Sequence, residues 1–561
     1  MKNKIPQVGF IFIFLLIQVY CDLTLPQYTA DIVNIGIQNT NFQFIIDTGL
    51  VMLLMVAIST IATVGVSYFS SRVSSGYAKD LRKIIYSKVL KFSNHELNNI
   101  SRSSLITRTT NDINQLQGIL GFIFNTLIFA PLLGVGSIIK VFELQTDLSW
   151  IIIVNFVAVL VLLVIVMVRV VPYFKITQEI IDRINKTARE ILIGIPVIKA
   201  FVRQDYEENK FQKVNQKFYD VNLYVFKTIM IILPLMTLIM NLMVVLILYF
   251  GAYDAIHNGV LTGDIIAFIQ YATQIVTSFL MIGVFIIMLP RFLVSARRIS
   301  EVLNTEITIT DGELTDISAH PTIEFRNVSY RYPGSEKETL KDISFTLKPG
   351  KTTAIIGGTG SGKSTILNLI PRLQDPSSGE ILMDGINIKN INLKSLRDRI
   401  SFTPQKAILF QGDVKSNMRI GKSDANDDEI QKALRLAQVD FVNDLAEEVT
   451  QGGSNFSGGQ KQRLSIARAI IGHHEFYLFD DCFSALDMNT ERKIKNNLKG
   501  LKDSSILIVS QRISTIMDAN EILVIDNGQI IDRGTHDGLL ESCEIYREIA
   551  NIQIDYMEAL S

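Results

Sequence analysis

In the first half of the chain, apolar residues gather in long unbroken runs. About six of these runs are long enough, at ~20 residues each, to span a hydrocarbon core of ~30 Å. They cover approximately residues 6–26, 48–70, 118–140, 148–171, 228–252 and 265–290. The first run has the length of a signal peptide but no clear small-residue cleavage site, and further spans follow it. It is therefore read as a membrane helix. From residue 322 the pattern changes. Short β-like runs ("TIEFRNVSYRY", "TTAIIG", "RISFTP", "EFYLFD", "SILIVS", "EILVID") alternate with helical stretches. That alternation predicts an α/β domain around a buried sheet. Asn527-Gly528 in "VIDNGQIID" predicts a hairpin.

The segments between the spans set orientation. Residues 28–47 carry no Lys or Arg, whereas 72–108 carry Arg72, Lys79, Arg82, Lys83, Lys88, Lys91, Arg102 and Arg108. Residues 141–147 and 253–264 have none, 169–227 are rich in both, and Arg291, Arg297 and Arg298 follow the last span. This is the positive-inside alternation with both chain ends in the cytosol, which requires an even number of spans. The two basic connections, including "SSLITRTTNDINQLQ" and "AREILIGIPVIKAFVRQDYEENKF", have helical patterning and few breakers. They read as membrane helices that continue into the cytosol and turn back; a merely solvated helical hairpin is the plainer alternative. Residues 301–321, "EVLNTEITITDGELTDISAHP", contain an acidic, irregular stretch punctuated by Gly312 and Pro321, a linker.

Composition agrees with this division. The 561 residues are 48% hydrophobic and 19% charged, with net charge -1 and mean hydropathy +0.28. That is too apolar for an ordinary soluble enzyme, and the absence of a basic excess argues against a nucleic-acid partner. The three cysteines, Cys21, Cys482 and Cys543, fit neither a zinc site nor a disulfide framework. The six histidines form no HExxH pattern.

The chemistry lies in the second half. "GGTGSGKST", residues 357–365, follows the apolar strand "TTAIIG" and precedes the helical "ILNLIPRL". Strand, glycine-rich loop and helix form the context of a phosphate cradle. Gly357, Gly358, Gly360 and Gly362 let the backbone amides around Thr359 and Ser361 close on phosphate oxygens without Cβ clashes. Lys363 would reach the terminal phosphates, and Ser364, followed by Thr365, would hold Mg²⁺. Asp480 ends the apolar strand "FYLFD" and is placed to share that metal.

"NFSGGQKQRLSIARAI", residues 455–470, resembles the signature sequence of the ABC transporter ATPases. Other markers of that family occur around it in order. Tyr332 in "SYRYPG" resembles the aromatic that stacks on adenine. Gln405 in "SFTPQ" resembles the glutamine that touches magnesium and faces the membrane domain. "SALD", ending at Asp487, and "VSQRISTI" resemble two further nucleotide-site segments. "RSSLITRTTNDI" and "EILIGIPVIKAF" resemble, more loosely, the cytosolic loops of exporter-type half-transporters. The fold class implied is multidomain: a six-helix α-helical transmembrane domain over 1–300, a linker over 301–321, and an α/β P-loop ABC ATPase domain over 322–561. Such chains pair head to tail, each ATP lying between one P-loop and the other chain's signature. Ser457, Gly458, Gly459 and Gln460 would thus meet ATP bound on a partner, and Phe456 keeps an apolar residue where the family mostly has Leu. The resemblance implies ATP and Mg²⁺ as cofactors and membrane lipids as surroundings, with a multi-pass location in a bacterial cell membrane. A short polar helix often precedes the first span in such proteins. Almost nothing precedes it here, so a shortened N-terminus is expected.

Two positions depart from the family pattern. The residue after the strand-end acid is usually Glu, the general base; here it is Asp481. One missing methylene removes about 1.5 Å of reach, and base contact needs ~2.6–3.2 Å. Positioned acid–base catalysis is worth ~10²–10⁴ in rate, or roughly 3–5 kcal/mol. The switch residue is usually His; here it is Gln511, which donates a hydrogen bond but carries no titrating charge. Both departures fall in the site built on this chain's own P-loop, while the signature stays near consensus. The expectation is the degenerate half of a heterodimeric exporter, holding ATP and completing a competent site on a second half-transporter. A slow homodimer in which Asp481 recruits a water is the alternative; an importer, an ATP-gated channel and a regulatory sensor are others.

Gln270, Thr273, Gln274 and Thr277 form one polar face inside the last span, suited to helix–helix hydrogen bonds or to substrate contact. Pro131, Pro172, Pro234 and Pro290 are expected to kink helices or mark their ends. Spans with so few charges suit a small amphipathic or hydrophobic substrate better than an ion.

Overall fold

The computed structural model describes residues 4–144, 148–257, 259–315, 321–501 and 503–558. Side chains at 163, 166, 167, 171, 174, 175, 178, 233, 287 and 554–558 lie outside that description. So do residues 316–320 of the expected linker. The chain forms two compact units, one of residues 1–89 and 103–304, the other of 90–102 and 305–561.

The first unit is helical: α1 (Ile5–Asp31), α2 (Phe42–Val89), α4 (Arg102–Thr107), α5 (Ile113–Phe122), α6 (Phe129–Glu143), α7 (Ser149–Ala200), α8 (Gln204–Met230), α9 (Ile232–His257) and α10 (Thr262–Asn304). Among the described residues, five stretches are long and apolar enough to cross a membrane: Ile5–Ile37, Phe42–Val89, Arg102–Glu143, Gln204–His257 and Thr262–Asn304. The fourth expected span, 148–171, begins on the shorter apolar stretch Ser149–Leu162 and then runs into residues without described side chains. Six spans therefore reduce, on this description, to five and a shorter one.

The burial pattern is that of helices dissolved in hydrocarbon. On α2 the buried positions include small residues, Ser59, Ala62, Ser70, Ser74 and Ala78. Leu53, Ile61 and Val64 stand outward, each more than 60% exposed. Small residues at helix contacts let backbones approach, which replaces the hydrophobic drive that lipid removes. Gly136 and Gly134 of α6 do the same: a Cβ at Gly136 would lie 2.3 Å from Leu23 of α1, and one at Gly134 would lie 3.1 Å from Ser278 of α10.

The polar face of α10 is mostly consumed by packing. Gln274 donates to the Asp22 carbonyl at 3.0 Å and accepts from Ser137 at 2.8 Å, joining α10 to α1 and α6. Thr273 and Thr277 bond backward to their own helix. Gln270 is half-buried. Pro131 and Pro234 are the third residues of α6 and α9, next to the interruptions at Ile128 and Ile231 in two longer helical stretches, whereas Pro172 and Pro290 lie inside α7 and α10. In the motif "RSSLITRTTNDI", Arg108 pairs with Glu301 at 2.8 Å and Asp112 accepts from Ser295 at 2.8 Å, so these polar residues brace α10.

The second unit holds β1 (Ile323–Tyr330), β2 (Leu340–Leu347), β3 (Thr352–Gly357), β4 (Ser378–Met383), β5 (Ile386–Asn387), β6 (Ile400–Thr403), β7 (Gly412–Asp413), β8 (Glu448–Val449), β9 (Phe476–Asp480), β10 (Ser505–Val509), β11 (Glu521–Asp526) and β12 (Gln529–Gly534). One sheet runs β2-β1-β4-β5, and the central one runs β12-β11-β3-β10-β9-β6. Strands β11, β3, β10, β9 and β6 are mutually parallel; β12 closes the edge antiparallel. The parallel strands are mostly buried, "FYLFD" and "SILIV" completely, as a sheet covered on both faces requires. Asn527 and Gly528 both take positive φ, 46° and 79°, in the expected hairpin. All three cysteines are buried and unpaired.

The helix α3 (Asn94–Ile100), read above as part of a membrane-domain loop, belongs to this second unit. Its capping box joins Ser93 to Glu96, and the Asn94 amide donates to the Leu373 carbonyl at 3.3 Å. Glu96 is 1% exposed and also takes the Thr308 amide at 3.1 Å and hydroxyl at 2.7 Å. Burial by itself raises the Glu96 pKa, but the bonds from Ser93 and Thr308 outweigh it and leave the carboxyl below its ordinary value. This clasp is complete above the ordinary glutamate pKa of about 4.3 and is lost as the pH falls through the lower folded value. Glu96→Ala should weaken the Thr308 anchorage by about 1–3 kcal/mol. Hydrogen exchange at the Thr308 amide should accelerate accordingly; unchanged protection would contradict the clasp.

Candidate nucleotide site

Parallel pairing brings four chain segments to one edge. β3, β10, β9 and β6 are adjacent, so the loops after their C-terminal ends emerge side by side. Ile355 faces Val509, Val509 faces Asp480, and Phe479 faces Thr403 in register. Ligands of open parallel sheets bind at this end of the strands. The loop 357–363 follows β3, Gln511 follows β10, Asp480 and Asp481 follow β9, and Gln405 follows β6. A cleft of about 330 Å³ lies among them, with Tyr332 and Thr339 on its wall.

The glycine loop is shaped for close backbone approach. Gly360 and Gly362 take left-handed φ of 84° and 97°. A Cβ at Gly362 would meet Leu340 at 2.6 Å, and one at Gly357 would meet the Ile525 carbonyl at 2.0 Å. Gly358 and Thr359 are exposed, while Ser361 is buried under the loop. The helix α11 (Lys363–Leu369) follows, and its first amides have no intrahelical partner. The loop is thus a concave surface of donors with no side chain in the way.

Lys363 is buried yet donates to the Gly357 and Gly358 carbonyls at 2.8 and 2.7 Å. Burial lowers its pKa, and the charges of Asp481 and Asp480 oppose that shift. Asp480 accepts from the Ser364 hydroxyl at 3.0 Å. Burial raises the Asp480 pKa and Asp481 adds to the rise, while Ser364 and Lys363 work against it. Ser364, Asp480 and the Gln405 amide supply hydroxyl, carboxylate and carbonyl oxygens, a hard donor set suited to Mg²⁺. Among the described residues, no group of three or more His, Cys, Asp or Glu could hold a metal alone. That fits an ion shared between the protein and a polyphosphate.

Asp481 continues the ladder one residue past β9, its amide donating to the Val509 carbonyl at 2.9 Å, and takes φ of 46°. Asp is among the residues that tolerate this conformation. Its carboxylate accepts from Gln405 Nε2 at 3.3 Å. Burial raises its pKa, against the bond from Gln405 and the charges of Arg512 and Lys363. Gln511 lines the cleft with its side chain exposed, and its carbonyl accepts from Gln553 at 2.7 Å. Tyr332 sets its hydroxyl 3.1 Å from Thr365 and stacks edge-on against Tyr330 at 4.9 Å.

The signature residues are not in this cleft. Ser457 caps the helix Gly458–Ile470 in a capping box with Gln460, whose side chain returns to the Ser457 amide at 2.8 Å. Ser457 and Gly458 are exposed, Gly459 and Gln460 half-buried. Phe456 is buried, with its ring 5.8 Å from Phe441. The cleft and the signature are therefore separate features of one chain.

Sequence reading missed several braces. Gln462 accepts from the Ala485 amide at 3.0 Å, tying the signature helix to "SALD". Asp487 caps the helix Met488–Leu498 through the Thr490 amide at 2.9 Å, and that bond lowers its pKa. Arg512 donates to the carbonyls of Ser484 and Leu486 at 2.6 and 3.3 Å and lies 3.7 Å from the buried Glu491. Only the adjacency of Arg512 to Gln511 could have signalled this. Gln553 is distant in sequence and carries no motif.

Comparison with known proteins agrees with this architecture. Residues 8–279 match the ABC transporter transmembrane region family, and residues 340–484 match the ABC transporter family. An uncharacterized ABC transporter ATP-binding protein of Mycobacterium tuberculosis is 36% identical over 559 residues, covering 97% of this chain and 96% of that one. An ATP-dependent lipid A-core flippase of Pseudomonas fluorescens is 32% identical, covering 87% of this chain and 82% of that one. A bacterial Atm1-family ABC exporter solved with ATP bound superposes with TM-score 0.81 at 23% identity, covering 98% of each chain, and shares the fold. Helical membrane unit, P-loop sheet, signature helix and whole-length similarity together make this chain an ABC exporter half-transporter, a member of the ABC transporter family.

Proposed function

We propose that this chain is the ATP-retaining subunit of a heterodimeric exporter. The membrane half, 1–300, would move small amphipathic or hydrophobic substrates outward across a bacterial cell membrane, with both termini cytoplasmic. A linker over 301–321 would connect it to the nucleotide domain, 322–561. The name of the flippase relative supports a lipid-like substrate class.

In this reading Tyr332 stacks on adenine. The loop Gly357–Gly362 surrounds the phosphates, and Lys363 leaves its two loop carbonyls to neutralise them. Ser364, Asp480 and Gln405 would hold Mg²⁺, which when bound draws charge from the terminal phosphates; Thr365 fixes the aromatic wall through Tyr332. Ser457, Gly458 and Gly459 lie exposed and outside the chain's own cleft, which supports their serving ATP on a partner. Gln460 would act there by holding Ser457 in place.

One observation carries the low-hydrolysis reading. The carboxylate that should ready the lytic water is one methylene short and already accepts from Gln405 at 3.3 Å. Gln511 opposite it lines the same cleft without a titrating ring. Binding of ATP keeps its loop, lysine and aromatic wall; proton removal from water loses its base. The partner would carry Glu and His at the equivalent positions.

Asp481→Glu combined with Gln511→His should raise hydrolysis at this site by about 10²-fold or more, the scale of a positioned base; an unchanged phosphate-release rate would contradict the reading. Ser457→Arg should leave ATP binding to this chain intact. It should abolish turnover of the complex co-purified with a second half-transporter, identified by mass. Full turnover, or a preparation containing this polypeptide alone, would contradict the heterodimer.

A further inference from the structure

Asp22 stands apart in the membrane unit. It is the only acidic residue within the six expected spans. The only bases within them are Lys140 and Arg169, at or near span ends, and Lys140 is paired with Glu143 at 2.7 Å. Asp22 lies on α1 (Ile5–Asp31), four residues before the end of the first expected span, 6–26, about 6 Å at ~1.5 Å per residue. Its carboxylate is therefore inside the apolar run, toward one end of it. An ionisable group there is costly and faces a protein interior, a cavity or an ion-bearing ligand.

The surroundings are polar but carry no positive charge. One carboxylate oxygen accepts from the Ser59 hydroxyl at 2.8 Å. The Asp22 carbonyl accepts from Gln274, which is held by Ser137, and the next carbonyl, Leu23, accepts from the Tyr271 hydroxyl at 2.8 Å. Three helices, α2, α6 and α10, thus converge on one turn of α1. The network ties down the backbone of that turn and gives its carboxylate a single hydroxyl. Among the described residues no Lys, Arg or His forms an ion pair with Asp22. Among the described residues nothing donates to the second carboxylate oxygen, and that oxygen is not fully enclosed. A purely structural polar contact would not need a charge; Asn would serve Ser59 equally. The feature left to explain is a carboxylate that is not fully enclosed, with a fixed backbone and, among the described residues, no counter-ion.

We propose that Asp22 is the charge-recognising residue of a binding site for amphipathic organic cations. The carboxylate, oriented by Ser59, would meet the cationic centre, while the ligand's apolar body lies among the surrounding helices. This deepens the proposed substrate class, which it takes from the exporter reading. The site needs no hydrolysis to be filled.

The test uses the full chain in nanodiscs, with rhodamine 6G as a permanently cationic fluorescent probe and empty nanodiscs subtracted. The wild type should bind it saturably. Tetraphenylphosphonium should displace it, and tetraphenylborate, of the same shape and opposite charge, should not. Asp22→Asn should weaken rhodamine 6G binding tenfold or more while leaving binding of the uncharged Nile red unchanged; Asp22→Glu should retain cation binding. Equal displacement by the two tetraphenyl ions, no saturable binding by the wild type, or undiminished binding by Asp22→Asn would overturn the proposal. The two-ion comparison is made on the wild type and does not depend on the variant folding. Binding without ATP-coupled flux in vesicles would instead count against export, leaving the cation site standing.

Discussion

The nucleotide site depends on the parallel pairing of β3, β10, β9 and β6. Parallel strands all deliver their following loops to the same edge, and their adjacency in the sheet sets which loops become neighbours. The register Ile355–Val509–Asp480 brings the glycine loop, Gln511 and the acid pair together, although 357 and 511 are far apart in sequence. Complete burial of β9 and β10, with β3 and β6 buried at all but one position each, holds that edge rigid. Any shift of one residue in a strand would carry the acids away from Ser364 and Gln405.

Within that frame, the proposed reading makes a single bond length the difference between holding nucleotide and cleaving it. In that reading the grip on a polyphosphate comes from backbone curvature, from Lys363 and from the oxygens of Ser364, Asp480 and Gln405, none of which departs from the family pattern. Water activation depends on where one carboxylate ends. Asp481 ends short and is met by Gln405 on the same edge. The chain's signature, capped by Ser457 and Gln460, has no such departure. The proposed retention at one site and completion of another are thus compatible in one polypeptide, since they would depend on different segments.

Much of this was legible from residue order. The apolar runs, the β–α alternation, the Asn527-Gly528 hairpin and the motif at 357–365 all report local geometry, which sequence encodes directly. What escaped was encoded by tertiary contact. The Glu96 clasp on Thr308 links a loop to a linker over two hundred residues away. Gln274 left substrate contact open beside helix–helix hydrogen bonding until Ser137 and the Asp22 carbonyl took up its amide. Gln460 read as a nucleotide contact because it sits in the signature; that its side chain also caps its own helix is visible only in the structure. Asp22 passed unremarked because a lone acid does not interrupt an apolar run; that no described residue pairs with it as a counter-ion emerges only when its neighbours are known.

The most direct test of the central claim follows the fate of ATP on the isolated chain. Purified protein loaded with γ-labelled ATP and Mg²⁺ is separated from free nucleotide, and label is followed as bound ATP or released phosphate. The account predicts stoichiometric ATP that persists uncleaved through many ordinary transporter turnovers. Phosphate release on the order of 1 per second or faster, a usual enzymatic rate, would contradict it.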